Sequence, residues 1–277
     1  MKIRVLIVFM LFSCIAELSV AQEIKAISFN IHNNISSNTD CNNSWFKRRY
    51  SIIKMMMDEQ PDVMGVQDAL LDQLSYIDNK FIKQYRRIGV GRDNGLTRGK
   101  FNAIYYDYNK LDVLEYHTKW ISKTPERVSP GWDTEGPRII TYGLFRTKET
   151  GVKFLYINVH FDEMGPVSKR ETLKLIASII ATPRYKTAPI IVGGDWEGDI
   201  EDDIFDLLRN NGLESARRIA ERTDYRGSYN AFNGNNKDIY DEFMVRRIIP
   251  KKFMTIIKGY GVKHLSDHYP IAMLFDL

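Results

Sequence analysis

Hydrophobic positions alternate along "IKAISFNI" (24–31), and the β-branched content of that run predicts a strand ending near Asn30. The period then changes. In "SWFKRRYSIIKMMMDEQ" Trp45, Tyr50, Ile53 and Met57 recur at helical spacing, Ser44 stands as N-cap, and Pro61 closes the helix. The three consecutive methionines read as core filler on that helix. A short buried strand follows at 62–67, then a helix around 70–79. Strands are predicted near 84–90, 101–107, 111–121, 138–147 and 152–160, the last two flanking the hairpin-like "TKETG". Over 167–181, Leu173, Ile176 and Ile180 share one helical face, and "PIIVGG" is an unbroken apolar run of the kind that forms a buried strand. A helix at 201–210 and strands at 239–246, 253–260 and 270–276 complete the pattern. No linker rich in Pro, Gly or Ser and no repeat divides it, so strands mixed with helices predict one layered α/β domain over 22–277.

The N-terminus differs in kind. "MKIRVLIVFMLFSCIAELSVAQ" has a basic start at Lys2 and Arg4, an apolar run from Val5 to Phe12, and small residues at Ser19 and Ala21. That is a secretory signal over 1–21, too short in its apolar part to span a bilayer permanently, and it predicts a periplasmic or extracellular protein. A lipid anchor at Cys14, on "LFSC", is the less favoured alternative. Once the signal is removed only Cys41 remains, so an internal disulfide is excluded and stability must come from the core. With 39 basic against 35 acidic residues, the net charge of +4 is too slight to indicate a polyanion. Nucleic acid is therefore a disfavoured partner, and a monomer is expected.

Polar residues collect at the predicted strand ends: Asn30, Gln67 and Asp68, Asn158 and His160, Asp195 and Glu197, then Asp241 and the run Ser266, Asp267, His268. Any one of them is readily explained as a cap or a satisfied core polar group. So many after successive strands point to a site, because loops at strand ends are where layered α/β folds build them. Carboxylate, amide and imidazole groups suit Mg²⁺ or Mn²⁺. Trp120, Trp132, Tyr142 and Tyr229 are candidates for a cleft mouth, although core packing is the favoured reading of such aromatics.

In order, "ISFNI", "QPDVMGVQD", "NVHFDEMG", "VGGDW", "YDEFMV" and "LSDHYP" resemble the motifs of the endonuclease/exonuclease/phosphatase family. "GRDNGLTRGKFNAIYY" and "GWDTEGPRIITYGLF" resemble the intervening stretches of its small exported bacterial members. The resemblance runs from about residue 24 to the C-terminus. It implies a four-layered α/β (α+β) sandwich of two packed, twisted β-sheets with helices outside, and metal-assisted attack of water on a phosphoester. Carried over residue by residue, it makes Asp68 and Asp267 the holders of one divalent cation, or of two. Asp195 would be the base and Asn30 its orienting partner. His268, steadied by Asp241 and by Ser266 in its loop, and His160 would meet the phosphate, with Arg138 supplying charge nearby. The implied substrate is a small phosphorylated molecule, a phosphodiester or a lipid head group.

Three positions depart from that pattern. The family has Glu where this chain has Asp68, Glu where it has Lys100, and Asn where it has Glu197. One expectation is that Lys100 and Glu197 form a charge-swapped pair bordering the phosphate. Another is that Glu197 joins the metal to compensate for the shorter Asp68. The alternative to an enzyme is a catalytically impaired member that binds a ligand in an inherited pocket.

Overall fold

Alternation along the strands decides which side chains meet. The computed structural model describes residues 22–35, 42–161, 165–198, 203–234 and 238–277. Segment 1–21 with Cys14, residue Cys41, and the first two residues of the helix expected at 201–210 lie outside the described residues. From the N-terminus, β1 (Glu23–Asn30), α1 (Trp45–Glu59) and β2 (Val63–Ala69) are followed by α2 (Leu71–Lys80), β3 (Tyr85–Ile88) and β4 (Phe101–Asp107). Next come β5 (Leu111–Trp120), β6 (Ile139–Thr147), β7 (Lys153–His160), α3 (Pro166–Ala181) and β8 (Ile190–Asp195). The short α4 (Asp206–Arg209), β9 (Glu214–Ser215) and α5 (Ala216–Ile219) precede β10 (Asp241–Arg246), β11 (Pro250–Thr255) and β12 (Ile271–Asp276). Among the described residues no helix is long and apolar enough to cross a membrane.

The strands form two six-stranded sheets, ordered β11-β12-β1-β2-β4-β3 and β5-β6-β7-β8-β10-β9. Within each, one central pair is parallel, β1 with β2 and β7 with β8, and a helix makes each crossover. On β1, Ile24 and Ala26 join Phe154, Tyr156, Ile191 and Phe243 between the sheets, whereas Ile27 and Phe29 pack beneath α1 and α2. Leu173, Ile176 and Ile180 of α3 cover the outer face of the second sheet, as their spacing predicted. The result is the four-layered sandwich.

Two local expectations change. On α1, Trp45 and Ile53 are buried as expected, but Tyr50 and Met57 are 65% and 52% exposed, and Arg48, Ser51, Ile52, Met55 and Met56 complete the buried face. The cause is Arg48, a buried cation that makes the inward face read as polar. Ser44 stands at the N-cap but makes no side-chain capping bond. The final hairpin also differs. β11 begins at Pro250 and ends at Thr255, while Ile256 and Tyr260 leave the sheet to seal the α1 side of the core.

A polar seam crosses between the sheets. The Tyr156 hydroxyl donates to Ile27 O at 3.2 Å and accepts from Gly65 N at 3.1 Å. Room for that ring requires glycine: a Cβ at Gly65 would lie 2.7 Å from the Tyr156 oxygen, and one at Gly193 would lie 2.6 Å from Phe243. Tyr156→Phe removes this link between the sheets, so about 1 kcal/mol of stability should be lost. Urea unfolding measures it; a midpoint equal to wild type would show that the seam contributes nothing.

Candidate active site

The face that is apolar at the start of each central strand turns polar at its end. Ile24 and Ala26 lead to Ser28 and Asn30; Phe154 and Tyr156 lead to Asn158 and His160; Ile191 leads to Asp195. Period two therefore aims all these polar groups into the gap between the sheets. Register sets Asn30 beside Gln67, His160 beside Asp195, and Asp195 beside Asp241. Gln67 and Asn158 serve the framework. Gln67 Nε2 donates to Asn158 Oδ1 at 2.6 Å and to Ser28 Oγ at 3.0 Å, and Asn158 Nδ2 donates to Val66 O and Ala103 O at 3.0 and 2.7 Å.

Asp195 is the centre and is fully buried. Its Oδ2 accepts from Asn30 Nδ2 at 2.9 Å and lies 3.6 Å from the Nε2 atoms of both His160 and His268. Its Oδ1 accepts from the backbone N–H of Glu197 at 3.1 Å. His268 Nδ1 meets Asp241 Oδ2 at 2.8 Å, and the Asp241 backbone N–H is bonded to Ser228 Oγ. Burial opposes the charge of His268, but Asp241, Asp195 and Asp267 surround it and its pKa is raised to about 10. Burial pushes the Asp241 carboxyl up and the facing imidazolium draws it back. With three carboxylates around one imidazole, the cationic His268 dominates. Five expected residues, Asn30, His160, Asp195, Asp241 and His268, are thus brought together.

The expected metal ligands are engaged otherwise. Asp68 adopts a left-handed backbone (φ 59°) where β2 shifts register, and this turns its carboxylate toward the site. Its Oδ2 accepts from Asn33 N at 3.1 Å and Asn33 Nδ2 at 2.5 Å. Its Oδ1 faces Lys100 Nζ at 2.6 Å in an ion pair. Lys100 is thus partnered with Asp68. Asp267 Oδ2 meets His32 Nδ1 at 2.8 Å, and Asp267 Oδ1 accepts from Ser266 Oγ at 2.9 Å. Despite burial, the His32 bond and the nearby His268 hold the Asp267 carboxyl well below the usual carboxylate range. A buried Asp/Asp/His group does exist: ligand-type atoms of Asp195, Asp241 and His268 lie within 4.8 Å of one another. There, Nδ1 of His268 lies 2.8 Å from Asp241 Oδ2 and its Nε2 lies 3.6 Å from Asp195 Oδ2. With the Lys100 ammonium 2.6 Å from Asp68 Oδ1 and Asn33 bonded to Asp68 Oδ2, a divalent ion at Asp68 would meet a like charge, so the donors there do not fit it.

Three cationic side chains, Arg92, Lys100 and Arg138, line the adjoining crevice together with His160, Asn102 and Ile139. Trp120 holds Arg92 in place by donating from Nε1 to its backbone carbonyl at 2.8 Å. Trp120 and Tyr142 are core residues, whereas Tyr229 reaches the site, edge-on to His268 at 5.0 Å and stacked on Tyr240 at 4.9 Å. Burial first, and then the negative field of Asp267, Glu197 and Asp195, keeps the Tyr229 hydroxyl protonated above its ordinary range. Glu197 itself takes a left-handed backbone (φ 43°), and its carbonyl accepts from Lys169 Nζ at 3.0 Å. Sequence reasoning missed His32, Asn33 and Arg92. The first two follow Asn30 within "NIHNN", and the strand-end rule would have covered them had it been extended by three residues.

No family model matches the chain. It is 27% identical over 273 residues to an uncharacterized protein of Acanthamoeba polyphaga mimivirus, covering 91% of this chain and all of that one. The endonuclease/exonuclease/phosphatase from Bacteroides vulgatus superposes with a TM-score of 0.85 at 27% identity, covering 92% of this chain and 99% of that chain. A mannosyl-6-phosphatase from Bacteroides thetaiotaomicron superposes with a TM-score of 0.84 at 29% identity, covering 91% and 99%. The two-sheet fold of this chain is thus similar to that of solved endonuclease/exonuclease/phosphatase family proteins.

Proposed function

We propose that this chain, with the framework of the endonuclease/exonuclease/phosphatase family, is a phosphoesterase that hydrolyses a phosphomonoester on a small molecule, a sugar phosphate being the leading class. The observation that carries the reading is Asp195: one buried carboxylate oxygen shared by Asn30 and two imidazoles, beside a crevice of three cationic side chains. Such a density of positive charge suits a dianionic monoester better than a singly charged diester. The similarity to a sugar phosphatase agrees with this. The reading takes 22–277 as the hydrolase and 1–21 as the segment directing its export.

The resemblance implies Mg²⁺ or Mn²⁺, but the donors beside Asp68 do not fit it, so the reaction is derived from the chain's own groups. A water molecule attacks phosphorus; the new P–O bond forms as the ester P–O bond breaks. Asp195 takes the proton of that water, with Asn30 fixing the carboxylate. His160 and His268 flank the same oxygen from two sides. His268 meets the growing charge on the phosphoryl oxygens, and His160 protonates the departing oxygen. Arg138 and Arg92 neutralise the bound phosphate.

The test is release of product from mannose 6-phosphate, para-nitrophenyl phosphate and its bis-ester by the purified protein, with His268→Ala as control. Turnover of the monoesters that the control loses is the expected result. Tight, stoichiometric binding of a phosphorylated sugar without hydrolysis would instead establish the binding protein, the reading that the changes at Asp68, Lys100 and Glu197 favour.

A further inference from the structure

We propose that Lys100 is a built-in substitute for the divalent cation: its ammonium occupies the cation position beside Asp68, and with Arg92, Arg138 and His160 it binds a phosphate group without metal. The inference rests on the reading that the crevice receives a phosphoryl group. Charge is the first argument. The single negative charge of Asp68 is neutralised by the single positive charge of the Lys100 ammonium beside it, which leaves no net charge there to draw a dication.

Geometry is the second. Lys100 Nζ stands 2.6 Å from Asp68 Oδ1, the two side chains being 23% and 8% exposed. A small divalent ion bonds a carboxylate oxygen at roughly 2.0–2.1 Å. It would therefore crowd the ammonium on the same oxygen, with like charges in contact and little water between them. The other oxygen of Asp68 is already bonded twice by Asn33.

Placement is the third. The backbone carbonyl of Lys100 accepts from Arg92 N at 3.1 Å, closing the 91–100 loop, and the next residue begins β4. Lys100 and Arg92 are thereby held on one framework, on the same crevice as Arg138 and His160. Lys100 is a binding residue here, and Asp68 positions it.

Calorimetric titration with Mn²⁺ and, separately, with inorganic phosphate tests this. Wild type should bind Mn²⁺ at least tenfold more weakly than Asp68→Glu/Lys100→Glu. Its phosphate affinity should be the same within threefold in chelator and in Mn²⁺, whereas the double variant should lose phosphate at least tenfold in chelator and regain it with Mn²⁺. Lys100→Gln keeps the test open if the double variant does not fold: it should bind phosphate at least tenfold more weakly than wild type in either medium. A single tight Mn²⁺ site in wild type that Asp68→Asn abolishes, or phosphate binding that appears only with Mn²⁺, would overturn the proposal. The Mn²⁺ titration involves no turnover. Absence of hydrolysis therefore overturns the phosphatase reading alone, while the metal result stands.

Discussion

Asp195→Asn should lower monoester hydrolysis by about 10²–10⁴-fold, the usual contribution of a positioned general base. The substitution keeps the shape of the side chain and removes its capacity to take a proton. It also places an amide where Asn30 Nδ2 and Glu197 N both donate, so one of those bonds must be lost or turned. A circular dichroism melt on the same sample separates that local cost from the catalytic one. If kcat falls while KM and the melt stay near wild type, Asp195 acts in the transition state. A kcat within tenfold of wild type would remove Asp195 from the role of base. Because Asp195 Oδ2 also faces His160 and His268, Asp195→Asn and His268→Ala should be far from additive when combined.

Arg48→Ala should cost about 3–5 kcal/mol of stability, because buried carbonyls lose a charged donor whose hydrogen bonds are worth roughly 1.5–3 kcal/mol each. Arg48 is 1% exposed and donates to four backbone carbonyls: Asn43 O at 2.7 Å, Ile31 O at 2.8 Å, Leu265 O at 2.6 Å and His32 O at 3.0 Å. Its guanidinium also lies 5.5 Å from the Phe232 ring centre. Burial lowers its pKa to about 10, with Asp267 opposing, so it remains cationic at neutral pH. Those four carbonyls belong to the segment after β1, to the start of α1 and to the loop leading to Asp267 and His268. Their loss of partners should loosen both sides of the site. Urea unfolding gives the stability, and a fall in turnover should accompany it. A lysine in its place would not serve, because an ammonium cannot span the fork that binds four acceptors, so Arg48→Lys should recover only part of the loss. A loss under about 1 kcal/mol for Arg48→Ala would show that water satisfies those carbonyls and that Arg48 does not hold the loops together.

Much of this protein is written in local pattern. Alternation over 24–31 and the apolar run "PIIVGG" determine strands, and the positions of Leu173, Ile176 and Ile180 determine which face of α3 is buried. The same alternation carries Asn30, His160 and Asp195 to one side, because a polar residue two or four places beyond a buried one shares its face. The candidate residues were therefore legible as types at strand ends, and their order along the chain as a family resemblance.

Which groups actually touch depends on contacts between segments far apart in sequence, and local pattern does not contain them. Arg48 reads as the polar face of an amphipathic helix until Ile31, Leu265 and His32 are seen to converge on it. Ile256 and Tyr260 read as a strand, although they are apolar because they close the core below α1. Lys100 could be paired with any nearby acid by charge alone. The turn at Asp68, with its left-handed backbone and its two bonds from Asn33, brings Asp68 to Lys100. Sequence by itself determined most of the strands, the buried face of α3 and the supply of chemical groups, because these follow from short-range periodicity. Only the tertiary structure decided that an ammonium, held by loop closure between β3 and β4, stands beside Asp68, because charge pairing is set by distances across the gap between two sheets.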